Sequence, residues 1–580
     1  MMTHHKLRIT NYASRTTQYA IMLLALVLAS CTSAQEPSPR ILAVEPAGVQ
    51  VARYEKLELT VGLEAAYDNP YDARQVDLTA VFTGPDGREW PVPGFWDGDK
   101  AWRVRFTPSA AGEWRYRLQV RDRQGASKPY TGQFTCLSSG HHGWLQVGAW
   151  VDPAYSARYL VCHDGSPFYG VGHCDAFDLM SYGWDAEKGF ALFDRMAEHG
   201  ENVLVYWPVY SNPFFATRYD HYSLPDLKVI DMVVEDAARK SIYLVFTVWD
   251  HGLLRDSSHP WGNGLWETHN GFRALGSLDS FFTSAEAWAW QENLYRYFIA
   301  RWGYSPAIGL WQTVSEIEGT NAGLHTDRWH ARVNRYFVEH DPYRHPTTAS
   351  KAGDAWWPAG YAAMDVVQMH SYNSRQDAVG TGPLIADWTQ KMWQAQPKPN
   401  FIGEFGTNDE RLHPALLHNG VWAGLAAGGA LTPLEWNDSS AWGEMDDEMM
   451  DHMAHLATFV AASVADMRLA YLDPLPLAVT ASDPQVRAWG LLGEDDGKES
   501  GFLWIQDTAQ PIGQPADRQV RQSVTVVVTG LAAGTYAVRP YDTWQGVYLE
   551  ESRATAGESG RLTLALPPFR NDLAIRLEQR

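Results

Sequence analysis

Ile308-Gly309-Leu310-Trp311-Gln312-Thr313-Val314-Ser315-Glu316 and Asn400-Phe401-Ile402-Gly403-Glu404-Phe405-Gly406 each put a glutamate just past a short apolar run. A short apolar run bounded by turn signals reads as a buried strand. Glutamate is rarely buried without a reason. A carboxylate among Trp311, Ile402 and Phe405 is either paired with a cation or functional. What surrounds the two stretches decides between these.

The two runs belong to a longer rhythm. Candidate strands fall at 167–172, 202–207, 242–249, 308–314, 346–350, 365–370, 400–405 and 430–436. Helical periodicity lies between most of them, at 186–199, 226–240, 284–302, 327–340, 380–395 and 414–427. Strands alternating with helices in this number point to a TIM (β/α)₈ barrel over 138–475 rather than a doubly wound sheet. The weakest unit lies between the fifth and sixth strands, where the connection is short. The long segment between the third and fourth strands is rich in Trp, Gly and His and would overhang the catalytic face. In such a barrel the C-terminal strand ends carry the chemistry. Glu316 ends the fourth strand and Glu404 the seventh. Glu318 follows two residues after Glu316, where the turn Gly319-Thr320-Asn321 begins.

Period-two alternation marks the flanks. Leu57-Glu58-Leu59-Thr60-Val61, Trp102-Arg103-Val104-Arg105-Phe106 and Trp114-Arg115-Tyr116-Arg117-Leu118 alternate, with turns at Asp86-Gly87 and Asp97-Gly98. A β-sandwich is expected over 40–137. Val524-Thr525-Val526 and Leu562-Thr563-Leu564 carry the same signature, and a second β-sandwich is expected over 476–580.

Composition narrows the partner. The formal charge of −21 argues against nucleic acid, whose binders carry basic patches. It also argues against a polyanion held by bulk charge, while leaving room for a local basic cluster. The chain holds 26 Trp, 27 Tyr and 21 Phe, rings that can stack on the C–H faces of sugars, although most serve to fill cores. No His/Cys cluster has zinc spacing, so neither a metal nor another cofactor is expected. Cys162 and Cys174 flank a candidate strand and could pair in an oxidising compartment, a pairing that sequence leaves open.

The start reads as an address. His4, His5, Lys6, Arg8 and Arg15 precede an apolar stretch over 20–29, too short to span a bilayer. Leu28-Ala29-Ser30-Cys31 then resembles a bacterial lipobox, which implies a signal peptide over 1–30 and lipid attachment at Cys31. A polar tether follows over 31–39. The expectation is an exported lipoprotein of the cell envelope that touches the membrane through its anchor, with oligomeric state open. A plain signal peptide cleaved nearby is the alternative.

Glutamates ending strands four and seven resemble clan A glycoside hydrolases, the retaining (β/α)₈ enzymes that include cellulases and β-galactosidases. Residues 311–320 are similar to the acid/base motif of cellulase-like lipoproteins, and 401–406 to their nucleophile motif. His370-Ser371-Tyr372 resembles the clan's His-x-Tyr pair, whose Tyr orients the nucleophile. Trp436 matches the Trp that floors the sugar subsite. Residues 94–114 resemble an Ig-like domain of unknown function that precedes such barrels. Asp542-Thr543-Trp544-Gln545-Gly546 and Leu566-Pro567-Pro568-Phe569 resemble a collagen-binding-type sandwich that follows them. One position departs: the clan places Asn before the acid/base to hold the sugar 2-hydroxyl, and this chain has Ser315.

The resemblance implies a retaining hydrolase of O-glycosidic bonds in an oligo- or polysaccharide. Glu404 would attack the anomeric carbon, and Glu316 would protonate the leaving oxygen and then deprotonate water. Glu316 is therefore expected to have a raised pKa. Ser315, His370, Tyr372 and Trp436 are expected at the substrate by resemblance. Trp207, Trp249 and Asp250, with Tyr206, His251 and His173, are candidates because they fall at or just past strand ends. A glycan-binding or adhesive lipoprotein that cleaves nothing remains the alternative, since fold does not fix function.

Overall fold

The computed structural model describes residues 38–46, 48–98, 101–174, 186–353, 355–372, 377–407, 413–436, 445–467, 471, 473–509 and 519–580. Cys31, the signal segment and most of the tether lie outside them.

Residues 40–137 form two mainly antiparallel sheets. One orders Arg40–Glu45, Leu57–Glu64, Trp102–Phe106 and Phe95–Trp96. The other runs from Gln50–Ala52 through Tyr130–Leu137, Gly112–Asp122 and Val76–Thr83 to Glu89–Pro93. Alternate residues are buried along Leu57–Val61 and Val76–Phe82, as period two requires. The inner faces meet, with Phe82 stacked on Phe106 at 4.0 Å between centroids. The C-terminal residues likewise form a seven-stranded sheet and a three-stranded sheet around a shared apolar core.

The central unit holds the parallel strands. Gly172–His173, Val203–Tyr206, Tyr243–Thr247, Ile308–Gln312 and Thr347–Thr348 pair in that order. Val367–His370 pairs in parallel with Asn400–Glu404. The amides of Asp365 and Val366 donate to the Thr347 carbonyl, joining the two groups. Residues 430–436 make bridges rather than a full strand. Pro433 supplies no N–H there. The amides of Ala430 and Leu434 donate to Asn400 and Ile402, and that of Thr432 to Gly170. Backbone contacts thus run through eight successive segments and return from the last to the first.

Helices follow these segments, among them Ala186–Glu198, Leu224–Arg239, Ala285–Trp302, Thr326–His340, Ala378–Ala395, His413–Ala427 and Asp447–Met467. Ala285–Trp302 begins where the Ser284 hydroxyl accepts from the amides of Glu286 and Ala287. The connection between the fifth and sixth strands carries the short helix Pro358–Ala363. The observed strands are shorter than the apolar runs. Val248 and Trp249, for example, stay buried past the end of their ladder.

The units are welded together. Asp231 of a central helix accepts two hydrogen bonds from Arg105 of the N-terminal sheet, both 2.9 Å, and two from Arg301. On the other side Asp572 of the C-terminal sheet accepts from Trp504 at 3.0 Å, Trp544 at 2.7 Å and Thr543, and lies 3.1 Å from His418 Nε2. No disulfide joins Cys162 to Cys174; the Cys162 thiol lies 3.6 Å from the Tyr243 hydroxyl instead. Among the described residues no helix is long and apolar enough to cross a membrane.

Candidate active site

The fourth and seventh strands are separated by two others, yet both point their C-terminal ends at one cleft. Glu404 is the last residue of its strand. Glu316 lies four residues beyond Gln312 and adopts a left-handed backbone, φ 49° and ψ 64°. That conformation is costly for a residue with a side chain, and it persists where surrounding contacts over-determine it. The Ser350 hydroxyl accepts from the Glu316 amide at 2.9 Å, and Ser315 N–H donates to the Trp249 carbonyl at 3.0 Å. Gly406 lets the chain past Glu404 press against the next segment. A Cβ there would lie 1.9 Å from the Trp436 carbonyl oxygen.

The two carboxylates meet at one imidazole. His370 Nδ1 lies 2.8 Å from Glu316 Oε1 and 3.0 Å from Glu404 Oε2. A ring nitrogen of His370 and one carboxylate oxygen each of Glu316 and Glu404 lie within 4.8 Å of one another. Tyr372 donates its hydroxyl to Glu404 Oε2 at 2.7 Å. Burial, with the Glu404 charge adding to it, pushes the Tyr372 phenol well above its ordinary range, so it stays a donor.

Charge is distributed among these groups. Burial opposes the imidazolium of His370, but Glu404 and Glu316 outweigh it and push its pKa up to about 10. Burial also works to neutralise Glu316, but the hydrogen bond and charge of His370 win and hold its pKa below the usual carboxylate value. Burial dominates at Glu404 and raises its pKa, with the Glu316 charge adding to it. Of the two carboxyls, Glu404 therefore keeps its proton to the higher pH. That polarity is the reverse of the expectation for an acid/base at Glu316. Burial dominates at Glu404, whereas at Glu316 the hydrogen bond and charge of His370 overcome it, a balance that sequence spacing could not register. Glu318 is half-buried beside the pair, and burial lifts its carboxyl to about 7.

A cleft of about 630 Å³ opens over both glutamates. Of the expected residues, Trp207, Asp250, His251, Tyr372 and Trp436 line it. The Trp207 and Trp436 rings lie 5.0 Å apart and form an aromatic wall. His370 is fully buried beneath the carboxylates. Trp249 does not line the cleft. It is enclosed by Phe215, Phe272 and Phe281, and its Nε1 donates to Tyr295 at 2.9 Å. Ser315 is also fully buried, with its hydroxyl unpartnered, and is not part of the cleft wall. Tyr206 is buried too, and His173 pairs with Glu201 at 2.6 Å.

Tyr210, Arg255, Trp261, Asn263, Ala352 and Gly353 line the cleft without having been singled out from sequence. Arg255, Trp261 and Asn263 come from the long insertion after the third strand, whose Trp- and Gly-rich composition was the available signal. Two other hollows are of similar size. One, of about 610 Å³, includes Asn202, Tyr243 and Ala307, at the N-terminal strand ends and so on the side away from both glutamates. The other, of about 640 Å³, lies between His452, His455, Trp544 and Asp572, away from both glutamates.

The family "Domain of unknown function (DUF5060)" matches residues 50–121, inside the N-terminal sheets. No curated protein matches the chain by sequence. Solved structures similar to it are glycoside hydrolases. A candidate glycoside hydrolase from Bacteroides vulgatus superposes with a TM-score of 0.63 at 16% identity, covering 92% of this chain and 100% of that one. A second structure, described as a glycoside hydrolase, superposes with a TM-score of 0.50 at 13% identity, covering 76% of this chain and 97% of that one. At these identities the likeness is one of fold.

Proposed function

We propose that this chain is a retaining glycoside hydrolase of an oligo- or polysaccharide, built on a (β/α)₈ barrel between two β-sandwiches. The observation that carries the reading is the meeting of Glu316 and Glu404 across His370. Retaining enzymes hold their carboxyl groups about 5–5.5 Å apart, and inverting ones about 6.5–9.5 Å, leaving room for a water. The approach of Glu316 and Glu404 supports the first class. The closed circuit of parallel segments and the fold of the neighbours support the barrel.

Glu404 Oε attacks the anomeric carbon while the glycosidic C–O bond breaks, and the proton on Glu316 passes to the leaving oxygen. Glu316 then takes a proton from water, whose oxygen displaces Glu404 with net retention. This requires a proton to stand on Glu316 when the sugar is bound. The leaving oxygen, a hydrogen-bond acceptor beside Glu316, favours that form. Tyr372 holds the attacking carboxylate in place, and Trp207 with Trp436 offers flat apolar faces to the sugar.

The test is a screen of the purified chain against aryl glycosides and plant and algal glycans, followed by NMR of the first-formed anomer. Retention is expected, as is loss of several orders of magnitude in rate for Glu316→Ala and Glu404→Ala. An inverted first product, or near-wild-type turnover in either folded variant, refutes the assignment. Binding of glycans without any cleavage favours the non-catalytic alternative. We also infer export and lipid attachment at Cys31, supported by the lipobox-like Leu28–Cys31. Labelled fatty acid should enter the wild type and not Cys31→Ser, and its absence from both would overturn this.

A further inference from the structure

One cation of the cleft touches no carboxylate among the described residues. Arg255 is only 7% exposed and lines the cleft together with Glu316. Its Nη1 donates to the Gly319 carbonyl at 3.3 Å and its Nη2 to the Asn263 carbonyl at 3.5 Å, both at the long end of hydrogen bonding. Its Nε is buried with no partner at all. No carboxylate among the described residues reaches within 4.0 Å of its guanidinium, although the chain as a whole carries a net charge of −21.

The charges of Asp250 and Glu316 act on Arg255 from beyond contact distance, and each carboxylate lies against a histidine instead. Asp250 has its Oδ2 3.1 Å from His251 Nδ1 and its Oδ1 accepting from the Gly252 amide at 2.7 Å. Glu316 is held by His370. Burial of a charge without a counter-charge is expensive, and proteins avoid it unless something else supplies the partner. The Trp261 ring flanks Arg255, with the guanidinium carbon 5.7 Å from its centroid. That leaves an aromatic face beside a cationic fork, which suits a pyranose bearing an acidic group.

We propose that Arg255 makes this cleft selective for a sugar that carries a single oxyanion, a uronate carboxylate or a sulfate ester, next to the bond at Glu316. The inference rests on the hydrolase reading of the cleft and names its substrate class. The planar guanidinium fork matches two oxygens of either group, where an ammonium would act as a point charge. The bland alternative is a structural Arg255 that pins the insertion through the two carbonyls. It would affect neutral and acidic ligands alike.

The experiment measures binding by calorimetry to the full chain carrying Glu404→Gln, so that ligands are not consumed. Three length-matched sets are used: neutral manno- and cello-oligosaccharides, oligogalacturonates, and sulfated galactan oligosaccharides. One acidic set should bind at least tenfold more tightly than the neutral sets, and whichever it is identifies the oxyanion. Adding Arg255→Gln should abolish the preference while leaving neutral binding in place, and Arg255→Lys should retain part of it. Equal or tighter neutral binding, no acidic binding, or a uniform loss across all sets in Arg255→Gln overturns the proposal. Wild-type protein is assayed for cleavage of the same sets. Acidic preference without cleavage would sink the hydrolase reading and keep Arg255. Cleavage of neutral sugars without acidic preference would do the opposite.

Discussion

His370 is predicted to stay charged through neutral pH because two carboxylates share its Nδ1. Its pKa rises from 6.5 to about 10 although burial opposes the charge. At 1.36 kcal/mol per unit, that net displacement is about 5 kcal/mol. The two carboxylates sit at similar distances, 2.8 and 3.0 Å, so each supplies at least half of it. Glu404→Gln removes one anion and keeps the shape. The His370 pKa should then fall by about 2 units, to about 8. The sign follows from linkage: the folded value lies above the unfolded one, so the stabilisation is complete below about 6.5 and is lost as pH rises toward about 10. Glu404→Gln should therefore cost about 2 kcal/mol of this term at pH 6. The assay is a pH titration of ¹⁵N-histidine-labelled protein, reading the ring nitrogens, beside urea unfolding at pH 6 and 10. A wild-type His370 titrating near 6.5, or an unchanged value in Glu404→Gln, would refute the reasoning. Neither measurement needs a substrate.

Other outcomes follow from the same contacts. Tyr372→Phe removes a hydrogen bond to a carboxylate, about 1.5–3 kcal/mol, and should lower kcat by about 10- to 150-fold with folding intact; an unchanged kcat counts against Tyr372 as the orienting donor. Glu318 holds its proton to about 7 in the folded chain against 4.5 ordinarily, so its contribution is present below about 4.5 and lost as pH rises to about 7. Glu318→Gln should then unfold at higher temperature than the wild type at pH 8 and not at pH 4, and an equal Tm shift at both would contradict this. Burial opposes ionisation of Asp231, but Arg105 and Arg301 depress its pKa to about 2, so its stabilisation is present above about 3.8 and lost as pH falls toward about 2. Asp231→Asn should cost about 3–5 kcal/mol at pH 7 by leaving two buried guanidinium groups short of a partner, and a loss below about 1 kcal/mol in urea unfolding would show the junction to be dispensable.

The sequence by itself determined the elements and the axis of the site. Buried strands must be apolar in their middle, so a glutamate at the end of Ile308–Gln312 or Asn400–Glu404 is visible as an interruption of a local pattern. Alternation along Leu57–Val61 is likewise local, because side chains on a strand change face at every residue. Tertiary structure alone decided which strand-end residues face the cleft. Trp249 and Trp207 have the same sequence credentials, yet one is enclosed by three phenylalanines and the other lines the cleft. The difference lies in how the insertion after the third strand folds back, and that depends on contacts far apart in the chain. Ser315 was likewise legible as a departure but not as a buried side chain. The charge pattern was the least legible of all. Which of Glu316 and Glu404 keeps its proton to the higher pH turns on the balance of burial against the charge of His370, and no carboxylate among the described residues contacts Arg255, Asp250 being turned toward His251. Coulomb energies vary with distance and burial, and both are set only when the whole molecule has packed.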